Sequence, residues 1–417
     1  MLRRVERYRV ELILFGLAFF VFASFSGPRF SRQSAAPHFV YQAKAWLEGR
    51  LDIDARVLPN REDWACVRRI DGRLSRCEGA AQAGDRWYVS FPPFPAVVML
   101  PFVALHGYQF NDTSLGVLVG ALAIVLAYRF FQKLSHLREN TNVAVDNAVL
   151  ACALAFASLF FYCTIRGEVW FFAEVLGVAL TWLYATSALG AQQPLRAGLF
   201  FGIAVLTRTP LLFTAVFFVM EAWRAPVGRA RRLGWFCLGA LPSALMGAAF
   251  NWVRFGKFGE FGHAFLYSNR VNADIDRFGL FDLAYLGRNL EAAFFKLPRL
   301  SLEPLRLDYD PHGLSLFLTM PWLLLLLWPR QKSRLRLPLA LTVLACALPG
   351  LLYQNTGYMQ FGFRFSLDYT PYLLALLAVS GWSLRRPLVI AVLALSVLAN
   401  TWGAVAFRGY TEIVRRL

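Results

Sequence analysis

The 417-residue sequence predicts an all-α polytopic membrane protein with about eleven transmembrane helices and two long outer loops. Hydrophobic residues make up 57% of the chain and charged residues only 17%, against about 25% charged in soluble domains. The mean hydropathy is +0.46, although the net charge is +17. High basicity combined with high apolarity excludes a disordered basic tail and disfavours a nucleic-acid-binding protein.

Uncharged apolar runs recur along the chain and predict the spans. The longer runs are Leu12–Pro28, Thr113–Tyr128, Asn147–Ile165, Val169–Ala191, Leu233–Val253, Gly313–Pro329, Leu337–Phe363, Tyr369–Leu384 and Pro387–Phe407. The first is interpreted as a retained span, because no Ala-x-Ala cleavage site follows it cleanly. Two shorter runs, Ala197–Thr207 and Thr209–Met220, are interpreted as the arms of a short hairpin and bring the total to about eleven.

Basic clusters predict the orientation, because cytoplasmic loops carry an excess of lysine and arginine. If Arg3 is cytoplasmic, alternating spans place every cluster on that side. The clusters are Arg3–Arg9, Arg129–Arg138, Arg196, Arg224–Arg232, Arg330–Arg336 and Arg385–Arg386. The hairpin must therefore leave and return to the cytoplasmic side, and its short arms predict that Arg208, at the tip, lies within the membrane.

Three regions follow from this topology: a seven-span module over 1–253, a second outer loop over 254–312 and a four-span region over 313–417. The first outer loop covers 29–112. Apolar residues at positions 39, 40, 43, 46 and 47 predict an amphipathic surface helix that ends at Gly49. Phe281–Leu297 has a similar pattern, and Pro92–His106 predicts a helix that lies along the outer interface or re-enters it.

Placing an ionisable side chain inside an apolar membrane segment costs free energy, so such residues are predicted to be functional. The guanidinium of Arg208 has several N–H donors in one plane, which suit a phosphate group. Alternatively, these donors bond to backbone carbonyl groups that Pro210 leaves without a helical partner. Glu174 either pairs with Arg166 or Arg208, or binds substrate. Each of these residues is therefore a candidate for the site.

The segment Gly357–Tyr369 links two predicted spans on the outer side. Arg364 and Asp368 are four residues apart and would share a helix face. They form either a simple ion pair or a site in which the aspartate positions the arginine on an anionic headgroup. Tyr358, in the same segment, is a candidate supporting residue.

Outer-loop carboxylates and cysteines provide further candidates. The pattern Asp-x-Asp occurs at Asp52/Asp54, Asp274/Asp276 and Asp308/Asp310. Such pairs can bind Mg²⁺ or Mn²⁺ bridging a diphosphate, or are solvated loop residues, and Asp308 and Asp310 are the candidate metal ligands. Cys66 and Cys77 form a disulfide if their side of the membrane is oxidising, or remain free thiols.

Several segments resemble the GT-C superfamily of membrane glycosyltransferases, including bacterial members similar to glycosyltransferase family 39 with unassigned substrates. Ala43–Arg50 resembles the helix after the first span, and Tyr88–Pro95 resembles the start of the next surface helix. Gly202–Pro210 is similar to the family hairpin Gly-x-Ala-x-Leu-Thr-Lys/Arg-x-Pro. Asn251–Gly256 and Gln360–Tyr369 also look like pieces of these proteins.

The resemblance implies transfer of a sugar from a polyprenyl-phosphate donor to a glycan, lipid or protein acceptor at the periplasmic face of the bacterial inner membrane. It implies that phosphate is bound by Arg208, Arg364 and Arg166. Family members usually carry an acidic base before the first surface helix, whereas this chain reads Ala35-Ala36-Pro37-His38 there. The candidates for the base are therefore His38, Glu48, Asp52, Asp54 and Glu168. The alternatives to sugar transfer are a lipid-phosphate transporter or flippase, and a non-catalytic lipid-binding membrane subunit.

Overall fold

The structure is a computed structural model that describes residues 2–58, 63–267, 269–302, 305–308 and 310–414. Among these residues, five helical segments are long and apolar enough to cross a membrane. They are Tyr8–Ser31, Asp112–His136, Val169–Ala191, Arg229–Phe255 and Pro387–Phe407. The chain is mostly helical, as predicted, and the length and composition of its apolar helices are consistent with a membrane protein.

The α-helices of the first half are α1 (Leu2–Ser26), α2 (His38–Leu47), α3 (Phe94–His106), α4 (Asp112–His136), α5 (Ala144–Phe156), α6 (Phe160–Thr164), α7 (Val169–Ala188) and α8 (Pro194–Val205). Those of the second half are α9 (Ala215–Trp223), α10 (Arg229–Phe255), α11 (Asn269–Phe278), α12 (Leu286–Leu290), α13 (Leu316–Thr319), α14 (Arg336–Leu352), α15 (Thr370–Ala378) and α16 (Pro387–Val414).

Several predicted spans are shorter or interrupted in the structure. The run Asn147–Ile165 is divided between α5 and α6, where the Ser158 hydroxyl donates to Leu154 O and accepts from the Phe160 amide. The run Gly313–Pro329 forms α13 and a 3₁₀ segment, Pro321–Leu327. Within the run Tyr369–Leu384, the only α-helix among the described residues is the nine-residue α15. These elements fall below the length of a regular span.

The chain is not purely α-helical, because both long loops contain β-structure that the sequence analysis did not predict. In the first loop, β1 (Trp64–Ile70) pairs antiparallel with β2 (Arg73–Arg76) and β3 (Arg86–Val89). A disulfide joins Cys66 of β1 to Cys77, just after β2. In the second loop, β4 (Arg299–Leu302) pairs with β5 (Leu305–Asp308). A search for helix-length apolar runs cannot detect strands this short.

The predicted surface helices appear as helices of modest length. α2 covers the apolar stripe and is followed by Gly49 with a φ of 72°, a left-handed conformation that suits a helix end. α3 has 13 residues and packs on α2. The region predicted as a helix over Phe281–Leu297 is helical in three short pieces, Leu283–Tyr285, α12 and a π-helical turn, Glu291–Phe295.

Hydrogen bonds tie the first long loop to one end of the helix assembly. The Val169 amide, at the start of α7, donates to Ala36 O just before α2, at 3.0 Å. Phe94, at the start of α3, donates to Leu206 O just after α8, also at 3.0 Å. Arg254 at the end of α10 donates to Val89 O of β3 at 2.8 Å. These bonds gather the helix ends that position the site described next.

α8 and α10 approach closely through glycines, and this contact supports the turn that follows α8. A Cβ atom added to Gly198 would lie 2.0 Å from Phe236 O, and one added to Gly239 would lie 2.1 Å from Leu195 O. Small residues at such a contact let two helix backbones meet without intervening side chains. The rigid α8–α10 pair therefore fixes where the chain turns at residues 206–208.

Candidate functional site

Four charged side chains, three of them buried and that of Arg208 largely so, meet near the loop-bearing end of the helices; we call them the charge network. Glu174 lies in the second turn of α7, and Arg208 lies between α8 and the 3₁₀ segment Thr209–Thr214. Arg364 and Asp368 bound the 3₁₀ segment before α15. Arg208 Nε and Nη2 contact Asp368 Oδ1 and Oδ2 at 2.5 and 2.7 Å. Glu174 Oε1 contacts both arginines: it lies 3.2 Å from Arg364 Nη1 and 3.5 Å from Arg208 Nη1.

The local sequence explains how Arg208 reaches this position. The backbone of Arg208 is extended, with φ −149° and ψ 120°, so α8 stops before it. Pro210 then provides no amide hydrogen to continue a helix. Gly177 of α7 leaves room for the side chain, because a Cβ atom there would lie 3.2 Å from Arg208 Cδ.

The pairing within the charge network differs from the predicted pair of Arg364 with Asp368. The segment Arg364–Asp368 is a 3₁₀ helix, in which residues four apart point about 120° apart and do not share a face. Asp368 therefore pairs with Arg208, and Arg364 pairs with Glu174. The network thus joins three segments that are distant in sequence.

Arg166 and Glu168 form a separate buried ion pair beside the charge network. Arg166 Nη2 contacts Glu168 Oε1 at 2.9 Å and Nε contacts Oε2 at 3.2 Å. Glu174 does not pair with Arg166, which was one of the predicted alternatives. The guanidinium carbons of Arg166 and Arg364 lie 5.3 and 5.4 Å from the centroid of the Phe171 ring. Phe171 therefore links the two sets of charges.

Two buried guanidinium nitrogens in this region have unused hydrogen-bonding capacity. Arg166 Nη1 and Arg364 Nε have no hydrogen-bond partner among the described residues, and neither side chain is more than 8% exposed. Buried donors normally have a partner, which is supplied by protein, water or ligand. The arginines thus retain donor capacity after their carboxylates are satisfied.

Asp63 is a candidate base that the sequence analysis missed. It precedes β1 with a φ of 55°, which is unusual for a residue other than glycine and recurs at functional positions. Its carboxylate accepts a hydrogen bond from Trp170 Nε1 at 2.9 Å, and its carbonyl accepts one from Ser90 Oγ at 2.7 Å. Asp63, Arg208 and Arg364 all act electrostatically on Tyr353. No motif distinguishes Asp63 from the other acids of its loop.

His38 begins α2 and lies close to Asp63. Its ring stacks on Trp64 with centroids 4.0 Å apart, and lies 6.3 Å from the ring of Trp170, the donor to Asp63. The side chain is fully buried. The fold therefore brings His38 to the same wall as Asp63, so both are candidate proton acceptors.

His263 is a second residue that the sequence analysis missed. Its ring lies 5.8 Å from the ring of Phe91 and 6.2 Å from that of Tyr353. Burial, together with the positive charge of Arg208, lowers the pKa of His263, while Glu260 opposes the change. The imidazole is therefore kept neutral beside the charge network.

The other predicted acids are held by neighbouring cations. Arg56 contacts Asp54 and lowers the pKa of that half-buried carboxyl to about 2, which makes it a weak base. Arg50 and Lys44 likewise lower the pKa of Glu48. Asp52 is half-buried, and no contact joins it to the charge network. Tyr358 is 40% exposed and its ring faces His312 at 5.2 Å, so it lies outside the network.

The three Asp-x-Asp patterns do not converge on a shared metal position. Arg76 contacts Asp276 at 2.8 Å, Arg288 contacts Asp274 at 3.1 Å, and Lys296 contacts Asp310 at 2.7 Å. The side chain of Asp308 lies outside the described residues. Within the described ranges, the only group of three ligand-type side chains is Cys66, Cys77 and Asp85, and its sulfur atoms are joined in the disulfide.

An apolar groove of about 370 Å³ lies between α2, α3 and α10. Its lining residues are Trp46, Gly49, Arg50, Leu51, Pro93, Val97, Met246 and Phe250. The groove is connected to the turn that carries Arg208, because Phe94, next to Pro93, is hydrogen-bonded to Leu206. Met246 is 48% exposed, so the groove opens on the apolar surface of α10. Such a groove suits a hydrocarbon chain.

Comparison with known proteins does not identify the chain, since no protein-family model and no curated protein matches it.

Proposed function

We propose that the chain is a membrane glycosyltransferase, which moves a sugar from a polyprenyl-phosphate donor to an acceptor hydroxyl at the periplasmic face of a bacterial inner membrane. One observation carries this proposal. Arginines with unused buried donors lie against the Phe171 ring, and the adjacent Trp170 donates a hydrogen bond to the carboxylate of Asp63, at one end of an apolar helix assembly. Phosphate recognition and proton removal thus have residues within one site.

The proposed topology keeps about eleven crossings, of which the α8–α9 hairpin and the helices near α13 and α15 are short. Contacts between loops favour it. Arg129 pairs with Glu11, and Arg334 pairs with Glu139. All four residues fall on the side assigned to the cytoplasm by the basic clusters. Contacts such as Arg76 with Asp276 join segments assigned to the outer side.

The proposed reaction is an inverting transfer. The acceptor oxygen attacks the anomeric carbon, its proton passes to the base, and the bond from that carbon to the phosphate oxygen breaks. Polyprenyl phosphate leaves with the bonding electrons. Arg364 and Arg166 stabilise the phosphate charge, while Arg208 contacts Glu174, the carboxylate that also holds Arg364. Asp63 is the favoured base and His38 the second candidate.

The apolar groove provides the proposed seat for the polyprenyl chain. A chain in the groove would enter from the membrane along α10 and place its phosphate near the turn at Arg208. The sugar would then face Asp63 and His38, on the loop side of the arginines. This arrangement separates the apolar and reactive parts of the donor.

The test uses purified protein in proteoliposomes with radiolabelled polyprenyl-phosphate hexoses and pentoses. We expect Asp63→Asn to lower turnover at least about hundredfold, while undecaprenyl phosphate still binds. Asp54→Asn, which alters an acid of the same loop that is paired with Arg56, is the matched control and is expected to keep turnover. Arg364→Lys keeps the charge beside Glu174 but removes the planar fork, and is expected to weaken undecaprenyl phosphate binding. Full turnover in both Asp63→Asn and Arg364→Lys would overturn the proposal.

A second candidate function, lipid-phosphate binding or transport without chemistry, is favoured by one observation. Each arginine of the charge network already contacts a carboxylate, so the four formal charges cancel. A neutral site binds a monoanion more weakly than a cluster of unpaired cations. Saturable binding of undecaprenyl phosphate, together with no sugar release from any donor, would select this function.

A further inference from the structure

Four ring-bearing side chains from different segments form a continuous wall, which we call the aromatic arc: Phe91, His263, Tyr353 and Phe365. The His263 ring lies 5.8 Å from that of Phe91 and 6.2 Å from that of Tyr353. The Tyr353 ring lies 6.0 Å from that of Phe365. All three contacts are edge-to-face and have the spacing of rings that touch, so the arc has no gap.

The two ends of the aromatic arc adjoin the two parts of the proposed site. At one end, Phe91 follows Ser90, whose hydroxyl donates to the carbonyl oxygen of Asp63 at 2.7 Å. At the other end, Phe365 follows Arg364 in the 3₁₀ segment of the charge network. The arc therefore connects the surroundings of the candidate base to those of the arginines.

The middle of the arc lies within electrostatic reach of both parts. Asp63, Arg364 and Arg208 all act on Tyr353, and Arg208 also acts on His263. A molecule that contacts these two rings would therefore lie close to the candidate base and to the arginines at the same time.

The aromatic arc has surface that the rest of the protein leaves uncovered. All four of its side chains are half-buried. No hydrogen bond joins the His263 ring to another described residue, and its nitrogens are not among the fully buried atoms. A neutral imidazole has one donor and one acceptor, so the middle of the arc combines aromatic surface with unused hydrogen-bonding capacity.

The turn that carries His263 holds it against the first outer loop. Gly262 has a φ of 109°, and a Cβ atom there would lie 3.0 Å from Ser90 Cα and 3.1 Å from Ala65 Cβ. Only glycine suits both this conformation and this close approach. The Glu260 carboxylate accepts a hydrogen bond from the Gly262 amide at 2.6 Å. Backbone contacts thus set the position of His263, and its ring is not needed to hold the turn.

We propose that the aromatic arc binds the sugar of the donor, with the apolar face of the sugar on Tyr353 and a sugar hydroxyl hydrogen-bonded to the His263 ring. This assignment rests on the proposed function and names the residues that select the sugar. A hydrocarbon chain would use the aromatic surface but leave the imidazole without a partner, whereas a sugar ring offers both C–H groups and hydroxyls. The position also fits, because the anomeric carbon must lie between the phosphate and the base.

The experiment compares the binding of sugar-bearing and bare lipid to the detergent-purified full chain. Microscale thermophoresis measures Kd for undecaprenyl phosphate and for a panel of undecaprenyl-phosphate hexoses and pentoses. The ratio of the two constants isolates the contribution of the sugar. We expect the unaltered protein to bind at least one sugar-bearing lipid about tenfold more tightly than the bare lipid.

The variants remove the stacking and the hydrogen bond separately. We expect Tyr353→Leu and His263→Ala each to lower the ratio about fivefold, without changing Kd for bare undecaprenyl phosphate. Tyr353→Phe keeps the ring and should keep the ratio within about twofold. The matched control is Tyr358→Leu, which removes the tyrosine of another tyrosine–histidine contact, with His312 at 5.2 Å, outside the charge network. It should leave the ratio within about twofold.

Three results would overturn the assignment of the sugar to the arc. They are equal affinity of the unaltered protein for bare lipid and every sugar-bearing lipid, equal losses for both kinds of lipid in Tyr353→Leu and His263→Ala, and the same loss of ratio in Tyr358→Leu. Failure of the proposed function has a different signature. Absent turnover of every donor, with a ratio that still falls in Tyr353→Leu, would reject sugar transfer and retain the sugar-binding arc.

Discussion

Two sets of ion pairs at opposite ends of the molecule use the same residue types in different environments. In the charge network, the exposed fractions of the side chains are 0% for Glu174, 4% for Asp368, 8% for Arg364 and 12% for Arg208. At the opposite end, Arg334 and Arg385 are 67% and 76% exposed, although each is paired with an acid. The two sets therefore differ in how deeply their arginines are buried, although both consist of arginine–carboxylate pairs.

This difference determines what each set can do. Exposed pairs are solvated and screened, and each contributes about 1 kcal/mol or less. Buried pairs have lost their hydration, so removing one partner leaves a buried charge that is very costly. Arrangements of this kind are retained where a function needs charge at membrane depth. The buried set is therefore the better place to expect both large stability effects and a ligand.

The strongest test of this comparison is Glu174→Gln. The substitution keeps the shape of the side chain but removes the carboxylate shared by Arg208 and Arg364. We expect the free energy of unfolding to fall by about 3 kcal/mol or more, because a buried guanidinium loses its counter-charge. Denaturant unfolding of the detergent-purified protein, followed by tryptophan fluorescence, measures the change.

The matched control at the opposite end is Glu11→Gln, which removes the partner of Arg129. This arginine is half exposed, so the expected loss is about 1 kcal/mol or less. Similar losses in the two variants would mean that burial does not separate the two sets, and the comparison would be wrong.

The sequence predicted the positions of several candidate site residues better than it predicted their ion-pair partners. The stripe over residues 39–47 predicted α2, and the break at Thr207–Pro210 predicted the turn that places Arg208 between two short helices. These features follow from local periodicity and from proline chemistry. The predicted number of crossings stays a prediction.

The sequence did not predict which charged residues pair with each other, because the pairing depends on contacts between segments that are distant in sequence. Arg208 and Asp368 are 160 residues apart, and the 3₁₀ geometry that turns Asp368 towards Arg208 has no clear sequence signal. Asp63 was missed for the same reason. Its position is set by Trp170 and Ser90, on other segments, and by a left-handed backbone conformation.

Backbone packing provides a second test, since the charge network depends on where α8 ends. In Gly239→Ala, the new methyl group would meet Leu195 O at 2.1 Å and force α8 and α10 apart. We expect a loss of about 1–3 kcal/mol in the free energy of unfolding, the usual cost of overpacking. The control is Gly234→Ala in the same helix, where a Cβ atom meets nothing within 4 Å.

At Gly234 the alanine should be neutral or stabilising by up to about 1 kcal/mol, since alanine favours helix. Equal effects at the two glycines would show that the α8–α10 contact is less tight than described. A loss at Gly239 alone, accompanied by weaker binding of undecaprenyl phosphate, would connect the packing to the site.

The smallest expected effect is the pH dependence that arises from His263, beside the buried set. The pKa of His263 in the folded protein lies below its ordinary value of 6.5, because of burial and the charge of Arg208. Between these two values the unfolded chain binds a proton that the folded protein does not, so the free energy of unfolding decreases as the pH falls below about 6.5. His263→Gln should make that decrease shallower, as measured by denaturant unfolding between pH 7.5 and 5.5.

His106→Gln, at an exposed histidine on the same side, should leave the slope unchanged. An unaltered slope in His263→Gln would mean that this histidine is hydrated in solution and that the buried charges do not extend their influence to it.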